Sequence, residues 1–169
     1  MARRETTSAV LASGGRLPVL VMRRDEHDAA VMTRHLRHSN RLDVSVVRPP
    51  DLVRTPLRWP EDPRIVPLAL CVLFRDRPST VAAAERLVHH VGEVPVIGVL
   101  DVPYPDAETA DMAADLVGAG VEDVVDIDHL TPLVLEQIVV AAIDRRVSGV
   151  LHLGDSMPLP GGVATRAIG

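Results

Sequence analysis

Two uninterrupted apolar runs constrain the fold more than anything else in this chain: Leu68-Ala-Leu-Cys-Val-Leu-Phe74 and Pro95-Val-Ile-Gly-Val-Leu100. A strand with one wet face alternates apolar and polar residues. A run with no polar residue needs cover on both faces, the situation of a parallel strand sandwiched between helices. Parallel neighbours also require a crossover, and the residues between the two runs supply one. Pro78-Ser79 opens a helix over about 79–91, and Gly92 closes it.

The same alternation extends in both directions. Pro18-Val-Leu-Val-Met22 reads as a strand, and Asp25 caps a helix over 26–39 in which Ala29, Met32 and Leu36 recur at helical spacing. Leu42-Asp-Val-Ser-Val-Val47 reads as a second strand. Pro49, Pro50, Pro56, Pro60, Pro63 and Pro67 then punctuate the chain. Proline removes amide donors and clashes with the preceding turn, so a loop with at most one helical turn at Leu52-Val53 is expected there. Asp106 opens a helix to about Val117, closed by Gly118 and Gly120; Val124–Ile127 is the fifth strand; Thr131-Pro132 starts a last helix predicted to end at Arg146. The pattern predicts an α/β, flavodoxin-like (βα)5 doubly wound parallel sheet of order 2-1-3-4-5, its second helix shortened or replaced by the proline-rich loop. The predicted organisation is a flexible leader at 1–16, one domain at 17–146, and a tail or the start of a linker at 147–169.

Composition narrows the function classes. One cysteine, Cys71, excludes a disulfide scaffold and a cysteine-rich zinc site. All 18 basic residues are arginine, which excludes Walker-type phosphate loops and Schiff-base chemistry. Residues 1–86 hold 15 arginines and 10 acids, whereas residues 87–144 hold 12 acids and no arginine. The acidic half argues against nucleic acid as a partner. No apolar run reaches membrane-spanning length, so no membrane partner and a cytoplasmic location are expected.

The order of these segments, with Val19–Asp28, Glu93–Asp101, Val117–Val125 and Leu130–Ile138, resembles the receiver domain of bacterial two-component response regulators. The resemblance covers about residues 17–146. It implies an aspartate ending the third strand as phosphoacceptor, Mg²⁺ held by acids after the first strand, a hydroxyl ending the fourth and a lysine ending the fifth. Three developing negative oxygens need such fixed positive charge and donors. Carried onto this sequence without gaps, the acceptor position falls near Val72, the hydroxyl position on Leu100 and the lysine position near Ile127. Asp76 is the nearest carboxylate to the acceptor position. Of the acidic pair Arg24 takes one place and Asp25 keeps the other, within a residual cluster of Asp25, Glu26 and Asp28.

The resemblance therefore implies a degenerate, non-phosphorylatable member, a pseudo-receiver with no catalytic residue, no metal and no cofactor. It would act by protein–protein contact, as a homodimer or by docking on a kinase or output domain. The family's habit of pairing through the fourth helix, fifth strand and fifth helix marks Ala110, Ala114, Val134, Ile138, Val139 and Ala142 as the expected interface. The last helix is apolar around most of its circumference, which agrees with burial on more than one side. Two alternatives stand beside this. One is a divergent phospho-accepting receiver using Asp76 with Mg²⁺ at Asp25. The other is a module binding a small anion or nucleotide at the strand ends, where Arg23, Arg24, Arg75 and Arg77 converge. Asp25, Glu26 and Asp28 also read simply as a helix cap with favourable charge–dipole placement. His27, His35 and His38 read as a solvated helix face.

Overall fold

The computed structural model describes residues 14–36, 39–55, 57, 68–75, 77–102 and 107–154. Five strands, β1 (Leu17–Met22), β2 (Leu42–Val47), β3 (Ala69–Phe74), β4 (Val96–Leu100) and β5 (Asp123–Asp126), form one sheet of order β2-β1-β3-β4-β5. Every pairing is parallel. Five helices connect and follow the strands: α1 (Glu26–Leu36), α2 (Pro49–Arg54), α3 (Arg77–Val91), α4 (Ala107–Gly118) and α5 (Pro132–Gly154). This is the flavodoxin-like doubly wound sheet that the alternation predicts.

The two apolar runs behave as parallel central strands should. Every residue of β3 and β4 is buried. Odd-numbered β3 residues (Ala69, Cys71, Leu73) join Met32 and Leu36 of α1 and Leu135, Val139 and Ile143 of α5 in one core layer. Even-numbered ones (Leu70, Val72, Phe74) join Ala84 of α3 and Met112 and Leu116 of α4 in the other. The period of two along the strand thus divides the helices between the faces.

Local signals set the helix ends. Gly120 adopts φ 96° and ends α4 in a Schellman motif, with Val121 N donating to Leu116 O (3.1 Å) and Gly120 N to Val117 O (3.0 Å). At the start of α5 the Thr131 hydroxyl accepts from Val134 N at 3.2 Å. The second helix is shortened, as expected, and one other element departs from expectation. The proline-rich stretch opens with a complete, if short, helix, because Pro49 and Pro50 sit in its first turn, where their missing N–H groups cost nothing. Helix α5 continues past Arg146 to Gly154. Arg145 and Arg146 do not terminate it. They turn back to Glu122 (2.8 and 3.0 Å), and Val147 carries the core stripe one turn further. Among the described residues no helix is long and apolar enough to cross a membrane.

Candidate functional site

In a doubly wound sheet the functional crevice lies beyond the carboxyl ends of the strands. Here it is bounded by the segment after β1 (Arg23–Asp28), the end of β3 (Leu73–Arg75) and the end of β4 (Leu100, Asp101).

The α1 cap organises its acidic side. Asp25 accepts the Asp28 amide N–H through Oδ1 (2.9 Å), and Asp28 reaches back to accept the Arg24 amide N–H through Oδ2 (3.0 Å). This reciprocal pair is a variant of the capping box, and it folds the Asp28 carboxylate inward until it is fully buried. A buried carboxylate requires pairing, and two arginines supply it. Arg24 Nε donates to Asp28 Oδ2 at 3.2 Å while its Nη2 donates to the Leu73 carbonyl. Arg75, arriving from the end of β3, donates through Nη2 to Asp28 Oδ1 and to both oxygens of Asp25 (3.0 and 2.9 Å). The Asp28 amide, then the Arg75 guanidinium, hold the Asp25 carboxyl below its usual range. Burial opposes the charge on Arg75, but Asp28 and Asp25 together outweigh it and raise its pKa. Glu26 stands apart, its side chain 96% exposed and 4.0 Å from Arg23.

The ends of β3 and β4 are apolar. The register sets Phe74, not Val72, level with Leu100 at the crevice. Val72 lies a full pleat earlier and pairs with Gly98, so a gap-free count along the sequence stops two residues short of the strand end. Phe74 and Leu100 are each 2% exposed and belong to the core layer of α3 and α4. The Phe74 ring lies over Gly98, where an added Cβ would come within 3.3 Å of it. Ile127 falls just past β5, in a 3-10 turn capped by the Asp126 side chain, which accepts from Asp128 N at 2.8 Å. Asp76 lies outside the described residues. Cys71 is buried in β3, and burial pushes its thiol up to about 12, far from a nucleophile's range.

A divalent cation does not fit these residues. Mg²⁺ takes hard oxygen ligands and keeps several waters, whereas Asp28 has no solvent access and Arg75 already engages oxygens of both Asp28 and Asp25. The cleft carries its own cations as guanidinium groups. The same geometry corrects the expectation that Arg24 and Arg75 are free to attract an anion, because each is neutralised by the carboxylates beside it.

Two features of the site had only weak signals in the sequence. Arg75 is an arginine among many until the β1–β3 pairing brings it to Asp25 and Asp28, some 50 residues back. His27 Nε2 lies 3.1 Å from Asp101 Oδ2, joining α1 to the end of β4, and no spacing rule links those two residues.

The expected interface also needs correction. Val139 and Ala142 are fully buried under α5 against the sheet, because they share the core-facing stripe with Leu135 and Ile143. Val134 and Ile138 are half-buried, and Ala110 and Ala114 are exposed on α4. Among the described residues of these helices the large apolar positions that face outward are Leu133, 62% exposed, on α5 and Val117, 53% exposed, at the end of α4.

No protein-family model and no curated protein matches the chain. Solved structures do. A protein described as pilus assembly-related, from Burkholderia pseudomallei K96243, is similar at 19% identity with a TM-score of 0.50, over 80% of this chain and 92% of that one. The signal receiver domain of an HD domain-containing protein from Pseudomonas fluorescens Pf-5 is similar at 11% identity with a TM-score of 0.50, over 79% of this chain and 98% of that one. At these identities the likeness establishes a shared fold, that of a receiver domain.

Proposed function

We propose that this chain is a receiver-like signalling module that takes no phosphoryl group and acts through protein contacts. One observation carries the reading: the acidic cleft beyond β1 is filled by the chain's own Arg24 and Arg75. Phosphoryl transfer to a carboxylate needs an acceptor at the strand end, a cation to neutralise the equatorial oxygens, and donors aimed at them. The strand ends offer Phe74, Leu100 and Ile127 in the corresponding places, and the chain contains no lysine. Internal guanidinium groups give Asp25 and Asp28 permanent partners, which favours one fixed conformation over a switch.

A module of this kind communicates by surface. The favoured surface is α4, β5 and α5, pairing two copies or docking a kinase or output domain in the cytoplasm, with no enzymatic activity of its own. The helix that would present it is held to the rest of the fold at two places, by Arg41–Glu136 (2.7 Å) near its start and by the Glu122 pairs with Arg145 and Arg146 past its middle. The test is incubation with acetyl phosphate and Mg²⁺ followed by intact-mass measurement. An unchanged mass is expected. Addition of one phosphoryl group mapping to Asp76 would overturn the proposal and establish the divergent phospho-accepting alternative.

A further inference from the structure

We draw no further inference here: the strongest candidate, the surface patch of exposed Asp43, Ser45 and Val46 along the edge strand β2, carries none because nothing in the structure shows what covers it.

Discussion

Replacing Arg75 by methionine keeps the length of the side chain and removes its charge, and the consequence follows from the partners it leaves. Asp28 is fully buried. Its Oδ2 keeps two donors from Arg24, but its Oδ1 loses the Arg75 guanidinium, its described donor. Stranding one partner of a buried ion pair costs about 3–5 kcal/mol when the site stays dry, and a single unsatisfied buried polar atom about 1–3 kcal/mol. The Arg75 side chain is 28% exposed, so water reaches part of the space it vacates. The expected loss is therefore about 2–3 kcal/mol, which lowers the melting temperature by roughly 4–12 °C in a domain of this size. Urea unfolding at neutral pH measures it, in the wild-type and in an Asp28→Asn background. A neutral amide needs no counter-ion, so in that background Arg75→Met costs less than about 1 kcal/mol, a coupling of roughly 2 kcal/mol. A cost below about 0.5 kcal/mol in the wild-type protein, or the same cost in both backgrounds, would refute the claim that Arg75 neutralises Asp28.

Two further outcomes follow from the same structure. The folded-state pKa of Asp25 lies below its ordinary 3.8, so its contribution to stability is present above that pH and is lost as pH falls through the folded value; Asp25→Asn flattens this acid limb in pH-dependent urea unfolding, and an unaltered limb would contradict the assigned contacts. If two copies pair as proposed, Leu133→Asp, at the most exposed large apolar position described on α5, leaves the fold intact and abolishes self-association in sedimentation velocity, and Ile138→Asp does so at a greater stability cost because Ile138 also packs on the core; an unchanged sedimentation profile for Leu133→Asp would remove α5 from the interface.

Some of this was legible before any coordinates. The central strands β3 and β4 follow from continuous apolar runs, because burial on both faces leaves no polar residue in them, and the parallel arrangement follows from the capped helical segments that alternate with the strands. The cap at Asp25 and the Thr131-Pro132 start are local chemistry and read directly. The helix ends were less legible. Arg145 and Arg146 look like a terminus, yet their ion pairs with Glu122 depend on tertiary contact. Val139 and Ala142 cannot be told from surface positions when the helix is apolar around most of its circumference; only the sheet decides which stripe is buried. At the site, the apolar ends of β3 and β4 and the absence of lysine are sequence information, whereas the guanidinium clamp is not. It requires knowing that β3 pairs beside β1, which brings Arg75 to Asp25 and Asp28.

The claim that the chain's own arginines hold the acidic cleft is tested most directly by an Mg²⁺ titration of the wild-type protein, following the backbone amides of residues 24–28. A carboxylate pair already bonded to Arg24 and Arg75 takes up no cation, so the account predicts no saturable shift at millimolar Mg²⁺. Saturable shifts of the Asp25 and Asp28 amides in that range, with displacement of Arg75, would contradict it.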